Sequence, residues 1–169
     1  IDVVAFGGSR GSGVPETAGG GTGGRVDFLA DLSGSILADN YVVDATASVA
    51  NVTGTNGPAQ GGGINLAAYN GGLIQTTNDS LDRFDASAQS GVSTTGSSAT
   101  GGFISLVTNE ANISLSSPQL SANGVSGGAS TPGATGAIGI GGIIQIDTGF
   151  DPAGGIAFGQ DPCMAGKLA

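Results

Sequence analysis

Short segments in which apolar and polar residues alternate recur along the chain, and a pair of glycines introduces each one. They start at residues 23, 61, 101 and 141, so that successive starts lie 38, 40 and 40 residues apart. Apolar side chains two residues apart, such as Ile64 and Leu66, are typical of a strand with one buried face. Regular spacing at four places predicts a repeat architecture.

Each repeat is predicted to contain three short strands and a long polar loop. In the second repeat the strands lie at 64–66, 73–74 and 81–88, and a turn at 70–72 separates the first two. Asparagine and glycine at that turn supply the backbone conformations that tight turns require. Residues 3–7 are interpreted as a lone third strand from an earlier unit. The long loops share one position in the repeat, and they cover residues 7–22, 48–60, 89–100 and 123–140.

Stacking of these units in register predicts an all-β fold, a parallel β-helix (solenoid) of glycine-rich repeats with the long loops on one corner. Each strand would hydrogen-bond to its copies about 4.8 Å above and below, in roughly three and a half rungs. A column of small side chains at Ala45, Ala86 and Ala122 would fill a corner. Two inward ladders are expected, and their members are Ile64, Ile104 and Ile144, and Leu66, Leu106 and Ile146.

The boundaries follow from the same pattern. The solenoid is predicted to cover residues 1–148, with repeats starting near 23, 61, 101 and 141 and a partial repeat before 23. Residues 149–169 are expected to form an irregular C-terminal tail that contains one last short strand at 156–158. Helix is nearly excluded, because no long window keeps a helical period free of glycine, which costs roughly 1 kcal/mol per helical position.

Other folds with similar periods fit less well. A Trp-Asp propeller needs about four strands per blade and its signature dipeptide, whereas this chain has no Trp and no His. Paired-helix repeats do not tolerate 34 glycines. An antiparallel glycine-rich sandwich, such as a pilin-like subunit, stays open as an alternative.

The glycine pair with alternating Ile and Leu, followed by Asp-Ala-Ser-Ala at 85–88 or by the related stretch at 120–124, resembles the repeats of filamentous haemagglutinin and autotransporter passenger domains. The resemblance covers about residues 1–148 at the level of pattern, and residues 150–169 have no counterpart. It implies a right-handed parallel β-helix displayed outside a bacterial cell, in adhesion or in surface fibres.

The net charge and the lengths of the apolar runs argue against two classes of partner. The chain carries 13 acidic residues against four Lys and Arg, a net charge of −9. Nucleic-acid binding needs a basic surface, so no nucleic-acid partner is expected. No apolar run approaches the roughly 18–20 residues of a spanning helix, so no membrane insertion is expected. Because the sequence begins with Ile rather than Met, it is expected to be a processed chain or a fragment.

The sequence contains few residues that could catalyse a reaction or bind a metal. Without histidine, imidazole-based catalysis and the usual zinc ligands are excluded. The single cysteine, Cys163, lacks a nearby base and is expected to be an unreactive thiol. Carboxylates could form a glycosidase pair, but the candidates are expected to be solvated turn residues, and they are Asp31, Asp39, Asp79, Asp82 and Asp85. A single calcium site at Asn78, Asp79 and Asp82 is conceivable.

These observations predict no catalytic, cofactor-binding or metal-ligating residue and no cofactor. The favoured function is that of a non-catalytic extracellular structural or adhesive protein, a segment or subunit of a bacterial surface adhesin or filament. Open sheet edges at both ends would lead to end-to-end self-association or to continuation into a longer chain. A surface glycan or a host-cell ligand is a further partner. The alternatives are a carbohydrate-binding or polysaccharide-cleaving β-helix, and a pilin-like subunit that polymerises by strand donation.

Overall fold

The structure is a computed structural model. It describes residues 1–9, 11–12, 17–78, 80–132, 134, 137–149 and 154–158. The secondary structure of this part of the chain consists of short strands, bridges and turns. No helix capable of crossing a bilayer occurs in it.

The described residues form 22 strands. In chain order they are β1 (Asp2–Val4), β2 (Gly7–Ser9), β3 (Gly11–Ser12), β4 (Thr17–Ala18), β5 (Gly21–Thr22), β6 (Arg25–Ala30), β7 (Ser35–Ala38), β8 (Val42–Asp44), β9 (Ala47–Val49), β10 (Ala59–Gln60), β11 (Gly63–Tyr69), β12 (Leu73–Thr76), β13 (Leu81–Asp85), β14 (Ala88–Gln89), β15 (Ala99–Thr100), β16 (Phe103–Asn109), β17 (Asn112–Leu115), β18 (Ser117–Ser121), β19 (Gly124–Val125), β20 (Gly139–Ile140), β21 (Ile143–Asp147) and β22 (Gly155–Phe158).

All but two of these strands stack into parallel sheets of four, and each turn of the chain adds one strand to every sheet. In the order in which a turn visits them, the sheets are sheet 1 (β1, β8, β13, β18), sheet 2 (β2, β9, β14, β19), sheet 3 (β5, β10, β15, β20), sheet 4 (β6, β11, β16, β21) and sheet 5 (β7, β12, β17, β22). The remaining two, β3 and β4, pair antiparallel. The chain is therefore a parallel β-solenoid of about four turns, which confirms the predicted fold class and contradicts the antiparallel sandwich.

The predicted register of sheet 4 is confirmed. Ile64 pairs with Ile104 and Leu66 with Leu106, and the same two rows continue to Ile144 and Ile146 in β21. The isoleucines and leucines of β11 and β16 are fully buried. In the last turn the two inward rows reach an open sheet edge, and there Ile144 is 46% exposed and Ile146 is 37% exposed. The reason is that no described strand lies beyond β21.

The main core lies between sheets 1, 4 and 5. Its centre is aromatic: Tyr41 meets Phe28 edge-on at 5.7 Å between ring centroids and stacks on Phe84 at 6.1 Å. Such pairs add to the hydrophobic contribution of burying the rings. Branched aliphatic side chains fill the space around them.

The turn contains five strands rather than the three that the sequence predicts. The stretch at 81–88 is divided into β13 and β14, because the chain bends at Ala86 and Ser87. The Asp85 carboxylate accepts a hydrogen bond from the Ser87 backbone N–H at 3.0 Å, and Asp44 does the same for Thr46. Aspartate followed two residues later by Ser or Thr thus forms a local turn that ends one strand and starts the next.

The long loops all lie between sheets 2 and 3, which confirms that they leave from one corner. They also stack on each other: the Val52 N–H donates to Val92 O at 2.9 Å, and the Ser130 N–H donates to Ser93 O at 2.7 Å. A second, smaller core lies beneath them, and its members are Ala18, Val49, Val52, Ala59, Ala88 and Ala99. The loops therefore form a packed lobe beside the main core.

The first turn begins as predicted, since β1 pairs with β8 through Val3 and Val43. The predicted strand at 156–158 is also present as part of β22, which pairs with β17. With these strands the coil comprises about four turns instead of three and a half. Residues 150–153 and 159–169, which include Cys163, lie outside the described residues.

Candidate functional site

The described carboxylates among the glycosidase candidates accept hydrogen bonds from nearby groups of the fold. Asp82 and Asp85 lie on the same strand, β13, but Asp82 points into the core and is fully buried, whereas Asp85 points outwards. Arg83 donates to Asp85 at 3.0 Å. Asp31 accepts a hydrogen bond from Asn70, and Asp39 accepts one from Thr77. These groups stabilise turns and strand faces, and Asp79 lies outside the described residues.

Asp82 joins three consecutive turns of the solenoid. One carboxylate oxygen accepts the Tyr41 backbone N–H at 2.9 Å. The other accepts the Thr76 hydroxyl at 2.6 Å and the Ser116 backbone N–H at 3.2 Å. Tyr41 immediately precedes β8 and Ser116 immediately precedes β18, so the carboxylate connects the strands on either side of β13. With both oxygens turned inwards, Asp82 is not placed to contribute to the calcium site considered from the sequence.

Removing this carboxylate is expected to lower stability strongly. In Asp82→Ala two backbone N–H groups and one hydroxyl lose their acceptor inside the core, and unsatisfied buried donors are unfavourable. We expect the free energy of unfolding to fall by about 2–3 kcal/mol. Urea denaturation followed by circular dichroism measures this. Asp39→Ala, at an exposed position, is the control and is expected to change stability by less than about 0.5 kcal/mol. Equal stabilities of the two variants would contradict the structural role of Asp82.

Tyr41 lies next to this carboxylate and is itself fully buried. Its hydroxyl donates to Ile36 O at 2.9 Å. Burial, together with the negative charge of Asp82, raises the pKa of Tyr41 to about 12. The neutral phenol is therefore the form that fits the core.

The raised pKa makes stability depend on alkaline pH. In the unfolded chain the phenol ionises near pH 10.0, whereas in the folded chain it stays protonated to about 12. The stabilising contribution is therefore fully present below pH 10.0 and is lost as the pH rises towards 12. Tyr41→Phe is expected to show a smaller loss of stability over this range than the wild type. Denaturation midpoints measured across it test this, and identical pH profiles would contradict the assignment.

The recurrent glycines and the recurrent alanines contact each other across the solenoid. Ala45, Ala86 and Ala122 stack as predicted, and Ala5 precedes them in the same column. The second glycine of each pair donates its N–H to an alanine carbonyl of this column, and these bonds are Gly24 to Ala5 at 2.6 Å, Gly62 to Ala45 at 2.8 Å, Gly102 to Ala86 at 2.7 Å and Gly142 to Ala122 at 2.6 Å. We call this set of contacts the seam. It separates the main core from the loop lobe.

The seam explains why glycine is needed. A Cβ atom on Gly61 would lie 2.0 Å from the Ala86 carbonyl oxygen, and one on Gly101 would lie 2.0 Å from that of Ala122. No side chain fits where two backbone segments approach so closely. Sequence reasoning treated the glycines and the alanines as separate features and missed their contact, although their equal periods were the available signal.

Outside the seam lies an open groove of about 490 Å³ with a floor of glycine backbone. Thr22, Gln60 and Thr100 line one side of it, and Arg25 and Phe103 line the other. The Phe103 ring, 39% exposed, packs over Gly63, and the Arg25 guanidinium lies 5.9 Å from the ring centroid. The groove therefore combines one aromatic surface with several hydrogen-bonding groups.

No group of three or more potential metal-ligating side chains occurs among the residues that the structure describes. Comparison of the chain with protein-family models, with curated proteins and with solved structures found no match in any of the three. The solenoid agrees with the β-helical repeats that the sequence pattern resembles, but no relative supports membership of the filamentous haemagglutinin or autotransporter families.

Proposed function

We propose that this chain is a non-catalytic structural element, a β-solenoid segment or subunit of a bacterial surface adhesin or filament that acts outside the cell. The observation that carries the proposal is the continuous stacking of five parallel sheets over about four turns, joined along the seam by backbone hydrogen bonds. A coil of this kind is a stiff support whose length grows by about 4.8 Å per turn. Its corner lobe provides a continuous lateral surface for contacts with a host cell or a glycan.

The charged side chains support a structural role. The hydrogen bond and charge of Arg25 lower the pKa of Asp27. Burial alone would raise the pKa of Asp85, but hydrogen bonds from Ser87 and Arg83 outweigh it and the pKa is lowered. A glycosidase needs a carboxylic acid with a raised pKa to protonate the leaving group. These two carboxylates have the opposite property.

Carbohydrate binding is the second candidate, and the groove beside the seam favours it. Binding sites for small polar ligands combine an apolar surface with a few fixed polar groups. Phe103 could contact one face of a sugar ring, while Gln60 and Thr100 lie close enough to the groove to bond its hydroxyls. This candidate requires binding alone and no cleavage.

The proposal is tested with the purified chain and a panel of neutral and acidic polysaccharides. We expect no release of reducing ends or unsaturated products, and we expect microspheres coated with the chain to adhere to host cells more than uncoated ones do. Cleavage of any polysaccharide, abolished by substituting a carboxylate of the chain, would overturn the proposal, and an absence of adhesion would reject the adhesin and leave the filament.

Phe103→Ala separates the two candidates. Loss of binding on a glycan array in this variant, with binding retained in Leu37→Ala as a control for an exposed apolar residue, would favour carbohydrate recognition at the groove. Adhesion that is unchanged in Phe103→Ala places the contact elsewhere on the solenoid.

A further inference from the structure

The last turn of the solenoid exposes an unusually apolar sheet edge. Isoleucines account for five of the nine residues from 138 to 146, and their exposed fractions are 66% for Ile138, 52% for Ile140, 67% for Ile143, 46% for Ile144 and 37% for Ile146. Ile144 and Ile146 belong to inward rows whose members in β11 and β16 are completely buried. Exposed apolar side chains beside unpaired strand edges favour pairing with another strand.

The opposite end of the molecule presents the matching edge. Sheets 1 to 5 end at β1, β2, β5, β6 and β7 on one side, which we call the N-terminal edge, and at β18, β19, β20, β21 and β22 on the other, which we call the C-terminal edge. Both edges belong to the same sheets and run in the same direction. A second copy that continues the coil therefore places each of its first strands beside the corresponding last strand.

The side chains are complementary in this register. In the chain itself, β6 pairs with β11 so that Val26 lies beside Ile64 and Phe28 beside Leu66. If β21 of the first copy pairs in this register with β6 of the second copy, Ile144 lies beside Val26 of the second copy and Ile146 lies beside Phe28 of that copy. The exposed side chains of Ile144 and Ile146 are then buried in the same two inward rows.

The outward faces also match. Asn65 lies directly beside Asp27 in the register of β6 and β11, and its amide helps to lower the pKa of that carboxylate. Gln145 is the member of this outward row in the last turn, because it pairs with Ser105. In the continued coil the Gln145 amide therefore faces Asp27 of the second copy, and it repeats the amide-to-carboxylate pairing that Asn65 makes.

The seam provides the third match. A Cβ atom on Gly101 would meet the Ala122 carbonyl, but a Cβ atom on the equivalent Gly141 would have no atom of the described residues within 4 Å. The space beside Gly141 is where the continued coil places the carbonyl of Ala5, the first alanine of the seam. The C-terminal edge thus has an open position beside Gly141 that the Ala5 carbonyl of the N-terminal edge would fill.

We propose that a second copy of this chain stacks head to tail on the first, with its N-terminal edge on the C-terminal edge and all five sheets continuing through the junction. Because the two surfaces differ and the operation is a translation along the coil, the contact repeats and builds an open-ended filament. The biological role of this contact depends on the proposed structural function, whereas the contact itself follows from the complementary N-terminal and C-terminal edges.

Disulfide trapping tests the geometry. Asp27→Cys and Gln145→Cys are made as two separate proteins in a Cys163→Ser background. Residues directly opposite on neighbouring strands lie within the Cα distance of about 4.4–6.8 Å that a disulfide allows. We expect mild oxidation of the mixture to give a covalent dimer, and either protein alone to give none. A dimer of Gln145→Cys alone indicates a tail-to-tail contact and overturns the proposal, as does the absence of dimer in the mixture.

Gly141→Val tests the shape match without disturbing the fold, since a Cβ atom at this position meets none of the described residues of its own chain. We expect the wild type to form larger species as its concentration rises in sedimentation velocity, and Gly141→Val to need at least tenfold higher concentration for the same effect. Gly128→Val, at an open position in the loop lobe, is the control and should behave as the wild type does. Unchanged association of Gly141→Val overturns the proposal. Polysaccharide cleavage by a chain that stacks would instead reject only the proposed function.

Discussion

Replacement of Ile104 by aspartate is expected to abolish the folded state. Ile104 is fully buried between Ile64 and Ile144 in sheet 4. Among the described groups, the core around it is hydrophobic, so a carboxylate there would have no compensating charge. Burial of an unpaired charge together with loss of the isoleucine contacts is expected to lower stability by more than about 5 kcal/mol, which is comparable to the whole stability of a small domain. Circular dichroism and urea denaturation measure the loss.

Thr95→Asp is the control for this experiment, because it introduces the same charge at an exposed loop position. Its effect on the free energy of unfolding is expected to stay within about 0.5 kcal/mol. If Ile104→Asp folded with a denaturation midpoint close to that of Thr95→Asp, the inward direction of the ladder in sheet 4 would be wrong.

Replacement of Gly101 by alanine is expected to have the next largest effect. The added Cβ would lie 2.0 Å from the Ala122 carbonyl oxygen and 2.6 Å from the Gly142 nitrogen. Both are backbone atoms held by the seam, so relief requires the strands on one side to move and the Gly142 to Ala122 hydrogen bond to lengthen. Overpacking of this kind is expected to reduce stability by at least about 3 kcal/mol.

Gly141→Ala provides a matched comparison, since it makes the same change at the equivalent position of the next turn, where the space is open. At protein concentrations low enough for monomers, its stability should equal that of the wild type within about 0.5 kcal/mol. Denaturant unfolding of the two variants side by side measures the difference. If both variants lost the same free energy of unfolding, the need for glycine at these positions would come from backbone propensity and not from the contact across the seam.

The periodic sequence pattern predicted sheet 4 correctly, because the pattern is local to each strand and recurs in every turn. Alternation along each segment gives the buried face, and equal spacing gives the register of Ile64 with Ile104. The number of strands per turn could not be obtained in this way. Strands such as β10 and β15 contain two small or polar residues each, and backbone pairing with neighbouring turns holds them rather than an apolar pattern.

The role of Asp82 could not be predicted because it does not repeat. Its column holds Tyr41 in one neighbouring turn and Pro118 in the other. Its donors lie 41, six and 34 residues away in the chain, so only the coiled structure brings them together. An isolated aspartate in a turn sequence is expected in solvent, and three neutral donors reverse that expectation here.

One intramolecular disulfide tests whether successive turns of the chain stack in parallel register. In a Cys163→Ser background, cysteines at Asn65 and Ser105 lie directly opposite on the outward face of sheet 4. We expect them to oxidise to a disulfide within one chain, whereas cysteines at Asn65 and Val107, displaced by two residues and about 8 Å apart, should not. Mass spectrometry of the oxidised monomers identifies the bond. Formation of the Asn65–Val107 bond in preference to the Asn65–Ser105 bond, or of neither, would contradict the solenoid.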